Sequence, residues 1–457
     1  MAERIVVIGG DAAGMSAASQ ARRGRPDLEI VVLEKGDWTS YAACGIPYVV
    51  SGAVESLDDL VMRTPQEFRD RLRIDVRMRH EAMGIDLDRG RVEVRDHEHR
   101  RTIEIGYDQL VVATGARPIR PPLPGIDLDN VRGVQTLDDA KELLDLARTR
   151  KCRRVAVVGG GYIGLEMAEA FLMWGAEVTL IDAAPQVMRT LDRDMADLIV
   201  PELERRGITV RLGQEVSGFE PGAVVAGDTT IAADLILLGI GVTPNAGLAV
   251  EAGVEAGARG AIQVDRRQRT SIDGVWAAGD CADTFHLVSR QPVHVALGTV
   301  ANKAGRVAGV NLGGGYATFP GVVGTAITRI CDTEIARTGL TEVEAADAGF
   351  GTVAVSVDTH SKASYFPGSR PMTVKMVAER ETGRLLGTQI VGGDGSAKRI
   401  DTAATAITAG MSVTEVVDLD LSYAPPFSGV WDAIAVAARV AERAVDDARS
   451  SGPDTGS

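Results

Sequence analysis

The chain has 457 residues, with 49 Lys or Arg against 63 Asp or Glu and a formal net charge of −14. Hydrophobic residues make up 45% and charged residues 25%, as in a globular protein long enough for about three domains. So acidic a chain makes nucleic acid an improbable partner, and no run of about 18 apolar residues could span a membrane. Four cysteines (Cys44, Cys152, Cys281, Cys331) share no spacing suited to a disulfide scaffold or a metal site, so no metal is expected. Glycine is in excess, 52 residues of 457 against an average of about 7%.

The first apolar run begins at Arg4, leaving no space for a signal peptide, so a cytoplasmic location is expected. Residues 4–34 (RIVVIGGDAAGMSAASQARRGRPDLEIVVLE) recur in pattern at 154–182 (RVAVVGGGYIGLEMAEAFLMWGAEVTLID). Each copy reads as a β-branched strand, a Gly-rich turn, a helix and a second strand ending in an acid. A third apolar strand with glycine behind it follows in both, LVVATGARP at 110–118 and LILLGIGVTPN at 235–245. The first copy is longer by about 25 residues, an insertion that includes SYAACGIPYVVSG at 40–52. After residue 320 the pattern changes. Strands are expected at 352–360, 372–380 and 385–393, with a tight turn at Glu381–Gly383 between the last two, and helices at about 396–411 and 429–447. The polar end SSGPDTGS reads as disordered. The fold class is therefore α/β: two Rossmann-like dinucleotide-binding domains plus a C-terminal α+β domain.

In the second copy Gly159, Gly161 and Gly164 follow a strand and open a helix, which suits a pyrophosphate resting on the helix N-terminus. Asp182, 18 residues after Gly164, can bind a ribose 2′-hydroxyl and would repel a 2′-phosphate, which favours NADH over NADPH. Tyr162, Ile163 and Gly241 complete that expected set. The first copy is looser: Gly9 and Gly14 hold the outer positions, Asp11 takes the middle one beside Ala12, and Glu34 with Lys35 ends the second strand. A second marker, TSIDGVWAAGD (270–280), ends in Gly279–Asp280, where the acid can reach a flavin ribityl hydroxyl. Two dinucleotide sites in one chain suit FAD and a nicotinamide exchanging hydride.

Cys44 precedes GIPYVVSG, which is expected to form a short helix over about 45–51 with its positive end at the thiol, lowering the thiol pKa. With no second cysteine nearby, it must react through a mixed disulfide or a sulfenic acid. The other three cysteines read as core residues. Arg22, Arg23 and Arg25, and six Arg against three acids over 63–79, could hold phosphates or form solvated helix faces. His97 and His99 would share one face of a strand, as metal ligands might, but nothing else converges on them.

The order of Gly-rich fingerprint, Ala113-Thr114-Gly115, second fingerprint, Gly279-Asp280 and C-terminal α+β domain resembles the two-dinucleotide flavoprotein reductases, the pyridine nucleotide-disulfide oxidoreductases. SYAACGIPY is similar to their single-cysteine branch, which holds coenzyme A disulfide reductases, NADH oxidases and NADH peroxidases. The resemblance runs from about residue 3 to 447. It implies an FAD-binding domain at 1–118 and 252–322, a nicotinamide domain at 119–251 and an interface domain at 323–447, with a tail at 448–457. It also implies a homodimer using FAD and NADH, with NADPH possible, and a small thiol disulfide or persulfide such as coenzyme A disulfide as substrate. The C-terminal His of dithiol reductases is absent, since no His follows His360. Tyr365 and Tyr423 match instead the tyrosines that coenzyme A disulfide reductases bring from the partner subunit, and Ser16, Gln20, Arg23, Ser40 and Asn302 match substrate contacts. Oxidase and peroxidase relatives carry His where this chain has Ala12, which argues against an oxidase as the main activity. Ala43 stands where coenzyme A reductases often have Asn. The alternatives are an NADH oxidase in which reduced flavin meets oxygen directly and, further off, a redox-sensing flavoprotein.

Overall fold

A computed structural model describes residues 2–149 and 152–451. The two sequence copies form two five-stranded parallel sheets of the same layout. The first runs Val275–Ala277, Gln109–Val112, Arg4–Ile8, Glu29–Leu33, Asp75–Arg77. The second runs Val131–Arg132, Leu235–Leu238, Arg154–Val158, Glu177–Asp182, Thr209–Leu212. Their central strands are apolar throughout (Ile5 to Ile8, Val155 to Val158) because both faces are covered. In each sheet one edge strand comes from outside the repeat. Val275–Ala277 returns to the first sheet after the whole second unit, and Val131–Arg132 joins the second sheet before its repeat begins. Each copy also carries a three-stranded antiparallel sheet, at 80–106 and at 216–232. The units are linked by an antiparallel pair, Ala116–Pro118 with Val242–Pro244.

His97 and His99 lie in the turn between two strands of the first small sheet. His99 Nδ1 is 2.9 Å from Asp96 and His97 Nε2 is 2.8 Å from Glu81, so both rings serve the hairpin. No group of three potential metal ligands exists among the described residues, nor a helix long and apolar enough to cross a membrane.

The C-terminal unit is a five-stranded antiparallel sheet in the order Ala326–Ile330, Thr333–Gly339, Leu385–Gly392, Pro371–Glu379, Thr352–His360. Three of these strands were expected. The other two escape the pattern because Arg329, Glu334 and Arg337 interrupt their apolar runs. Arg337 is nevertheless buried, bonded to Glu344 at 2.8 Å and to the carbonyl of Thr190 at 2.7 Å. Helix Ile400–Ala409 packs on the sheet, as does helix Ala433–Ser450, whose Ile434, Ala437, Ala438, Ala441 and Val445 form one buried stripe. The second helix runs to Ser450, so the tail expected from residue 448 is helical at its start, while 452–457 lie outside the described residues.

One seam positions the rest. Helix Gly298–Leu312, which closes the first unit, lies directly on helix Ala12–Gly24. Gly305, Gly309 and Gly313 recur every four residues and face that helix without side chains. A Cβ on Gly305 would stand 2.2 Å from the Ala13 carbonyl oxygen, and one on Gly309 would stand 2.3 Å from that of Ala17. From the other side, a Cβ on Gly24 would lie 2.6 Å from the Gly313 oxygen. Glycine at 305, 309 and 313 is the condition for this backbone contact. In an ordinary helix interior Gly→Ala stabilises by about 1 kcal/mol. Here Gly305→Ala reverses the sign and destabilises by about 1–3 kcal/mol, as overpacking does. Chemical denaturation of the variant beside the parent measures this.

Candidate active site

In both Gly-rich turns the chain itself requires the outer glycines. Gly9 has φ +107°, and a Cβ there would lie 2.1 Å from the Ala113 oxygen; Gly159 has φ +105° and the same conflict with the Gly239 oxygen at 2.5 Å. A Cβ on Gly14 or Gly164 would stand 2.0 or 1.9 Å from the oxygen of its own turn's first glycine. The middle position differs: a Cβ on Gly161 meets nothing closer than 3.9 Å. Asp11 is therefore no defect in the first turn. It precedes the helix, accepts from the Tyr41 N–H at 3.1 Å, and burial with Glu34 and Asp280 nearby raises its pKa to about 6.

The strand-end acids act alike. Glu34 accepts from the N–H of Gly10 (2.9 Å) and Gly36 (2.8 Å), and Asp182 from those of Gly160 (2.6 Å) and Ala184 (2.8 Å). Each carboxylate thus fixes its own phosphate turn and keeps lone pairs for a ribose. Lys35 is exposed beside Glu34. Tyr162 and Ile163 open the helix of the second turn, and Gly241 (φ +101°) borders the linking pair. Thr114 is taken up structurally, donating to the Asn245 carbonyl at 2.6 Å while Asn245 donates back at 3.1 Å. Gly279 (φ +86°) presses on the first helix, where a Cβ would lie 2.8 Å from that of Ala13. Next to it, Asp280 Oδ1 is buried with no protein partner, and burial raises the Asp280 pKa. Two bare-backbone cradles at helix starts and one orphaned buried acceptor are what two pyrophosphates and a polyol hydroxyl require, so the residues fit a flavin dinucleotide on the first unit and a nicotinamide dinucleotide on the second.

The short helix expected just after Cys44 is present, but it does not lower the thiol pKa. Cys44 lies in a single 3-10 turn, Ala43–Gly45, ahead of a five-residue helix, Ile46–Val50. The residue is reached by solvent, yet its packed surroundings desolvate the thiol. That burial and the carboxylates of Glu166, Asp280 and Asp11 push the pKa up, not down. A helix this short carries too small a dipole to win against them. Glu166, on helix Tyr162–Met173, is missed by sequence reasoning although it stands two residues past Gly164. It accepts from Thr328 Oγ1 at 2.6 Å, and burial raises its own pKa. Of the other cysteines, Cys281 is buried, with its thiol 3.4 Å from the Val112 carbonyl, while Cys152 and Cys331 are partly buried and pack against the edge of a core cluster.

All five expected substrate contacts, Ser16, Gln20, Arg23, Ser40 and Asn302, line one cavity of about 450 Å³. The seam between the two helices forms its wall, where Ser16 donates to Asn302 at 2.9 Å. Arg63, Lys303 and Arg306 also face it, so four cations surround the space. Lys303 and Arg306 escape notice in sequence because they read as the solvated face of an ordinary helix. The Arg-rich stretches contribute less than their number suggests. Arg22 is buried and holds the carbonyls of Leu72, Pro26 and Arg73, Arg25 pairs with Glu3 and Asp27, and Arg79 pairs with Asp37.

Tyr365 and Tyr423 come together on two surface loops of the C-terminal unit, 75% and 46% exposed. The neighbouring Tyr365 hydroxyl raises the pKa of Tyr423.

The profile described as pyridine nucleotide-disulphide oxidoreductase matches residues 3–305, and that of the family's dimerisation domain matches 325–434. An NAD(P)H coenzyme A polysulfide/persulfide reductase of Pyrococcus horikoshii is 40% identical over 448 residues, covering 96% of this chain and 98% of that protein. A protein of Methanocaldococcus jannaschii named NADH oxidase is 37% identical, covering 95% and 98%. The solved NAD-dependent persulfide reductase from A. fulgidus superposes with a TM-score of 0.94 at 37% identity, covering 97% of this chain and 84% of its own.

Since Glu166 raises the Cys44 pKa, Glu166→Gln lowers it. The pH profile of Cys44 alkylation by iodoacetamide then moves to lower pH, which rate measurements on the reduced protein detect.

Proposed function

The chain belongs to the pyridine nucleotide-disulphide oxidoreductase family, and on that premise we propose that it is an FAD-dependent NADH reductase of coenzyme A disulfide or a related persulfide. The observation that carries this reading is the four-cation cavity at the seam, with Ser40 at its wall and Cys44 four residues further along. Coenzyme A is a thiol on a long arm ending in phosphates, so a cationic cavity near a lone cysteine suits it. A flavin held by the Gly9 turn, Glu34 and Asp280 would supply two-electron chemistry, linking hydride from a nicotinamide on the Gly159 turn to reduction of a disulfide.

The residues divide the remaining work. Gly9 and Gly159 hold the dinucleotide turns open, while Glu34 and Asp182 stiffen them and face the riboses. The carboxylate of Asp182 selects NADH by repelling a 2′-phosphate. Arg23, Arg63, Lys303 and Arg306 hold the substrate phosphates, with Ser16, Gln20 and Asn302 between them. The Cys44 thiolate attacks the substrate disulfide, forming a mixed disulfide and expelling one thiolate. Two electrons then cleave that mixed disulfide, regenerating the Cys44 thiolate and releasing the second thiol. Tyr423 of a partner subunit, beside Tyr365, supplies the proton to a departing thiolate, so the working unit is a homodimer built through the C-terminal domain. Glu166 opposes ionisation of Cys44, an effect weakened by the burial that raises its own pKa.

Anaerobic NADH oxidation with and without coenzyme A disulfide tests the reading. Turnover requires the disulfide and is lost in Cys44→Ser; NADH-driven oxygen uptake that persists in Cys44→Ser would favour the oxidase instead. Arg306→Ala raises KM for coenzyme A disulfide on the order of ten-fold, as loss of a charged hydrogen bond does, and leaves KM for a disulfide without phosphates unchanged.

A further inference from the structure

We propose that Arg399 is a positioning residue that sets the Tyr365–Tyr423 pair for its work at the partner subunit's Cys44, an inference that rests on the proton-donor reading of Tyr423. Both tyrosines lie in loops without regular secondary structure, 361–370 and 421–432. Their hydroxyls are therefore placed only by whatever ties these loops down. Arg399 stands at the start of helix Ile400–Ala409, its side chain 13% exposed. Its Nε donates to Asp432 at 2.9 Å, and its Nη2 donates to the carbonyl of Ser361 at 2.8 Å and also to that of Phe427. Nη1 donates to the Gly395 carbonyl.

One guanidinium thus joins both tyrosine loops to a helix seated on the sheet. Each anchor point is itself fixed. Ser361 closes the neck of its loop, donating to the Arg370 carbonyl at 2.8 Å and accepting from the Arg370 N–H at 3.2 Å. Asp432 caps the final helix by accepting from Ile434 N–H at 3.0 Å. Besides the tyrosine pair, the Ala363 N–H, 3.2 Å from the Pro425 carbonyl, gives a further tie between the loops. A planar fork of five donors can hold four acceptors in fixed directions, whereas the ammonium of lysine on its flexible stem cannot. The charge of Arg399 is matched by Asp432, so its place here is geometric and not a surplus cation for substrate.

The test uses the FAD-loaded dimer. Arg399→Lys keeps the wild-type rate of NADH-dependent flavin reduction in single turnover and loses on the order of ten- to a hundred-fold in kcat with coenzyme A disulfide, the scale of a misplaced reacting group. Its alkaline kcat limb moves to lower pH, because Tyr423 moves away from the Tyr365 hydroxyl that raises its pKa. In a Tyr423→Phe background the same substitution costs nothing further. Wild-type kcat and pH limb in Arg399→Lys, or an equal loss in the Tyr423→Phe background, overturn the proposal while the proton-donor reading stands. If Tyr423→Phe alone turns over at the wild-type rate, that reading fails and the proposal with it. Should Arg399→Lys not assemble, Asp432→Asn, which keeps an N-cap acceptor and removes the ion pair, decides: lowered kcat supports the proposal, and wild-type kcat overturns it.

Discussion

The contact on which the site depends is the bare backbone seam between helices Ala12–Gly24 and Gly298–Leu312. Because Gly305 and Gly309 present no Cβ, the second helix lies against the carbonyls of Ala13 and Ala17. That approach brings Asn302, Lys303 and Arg306 to one wall of the cavity whose other residues include Ser16, Gln20 and Arg23. The same helix start is pressed by Gly279, which sets the buried Asp280 beside the first phosphate turn. A flavin cradle and a cationic cavity thus share one rigid element. Adding a single methyl group to the seam would disturb both at once.

Around Cys44 the balance of forces is unusual for a residue expected to react as a thiolate. Burial and three carboxylates oppose its ionisation, and the short helix behind it offers little in return. Burial also raises the pKa values of Asp11, Asp280 and Glu166, so the carboxylates nearest the thiol are themselves reluctant to ionise. Protons at these groups and at Cys44 are therefore linked, and neutralising one favours ionisation of another.

The C-terminal unit is held to the second dinucleotide-type unit by buried charge and not by apolar area alone. Lys375 lies 2.7 Å from Asp194 and 3.4 Å from Asp192, while Gln389 donates to Asp192 at 2.6 Å. Arg337 reaches the Thr190 carbonyl in the same segment. Directional bonds of this kind fix orientation more closely than apolar contact does, because a lone buried charge is costly. They set where the tyrosine loops stand relative to the dinucleotide units.

Both Gly-rich turns, the strand-end acids and the Gly279–Asp280 element were legible in the sequence, because each is a local demand of the backbone on residue type. Positive φ at Gly9 and Gly159, or a helix start lying on a strand, leaves almost no other choice of residue. The lone cysteine segment and the five cavity contacts were legible through resemblance. What local pattern could not reveal was pairing across long separations. Gly305 and Gly309 look like ordinary helix glycines until Ala13 and Ala17 are seen beneath them. Arg22 and Arg25 look like phosphate ligands until their carbonyl and carboxylate partners appear. The strands at 326–339 were hidden because their buried arginine is neutralised by Glu344, which only the folded sheet brings to it. The same holds for the Cys44 pKa: the sequence alone determined that a short helix follows the thiol, whereas the tertiary structure decided that burial, with Glu166 and Asp280 from 122 and 236 residues away, outweighs it. Electrostatic energy depends on distance in space, and distance in space is fixed only when the chain has folded.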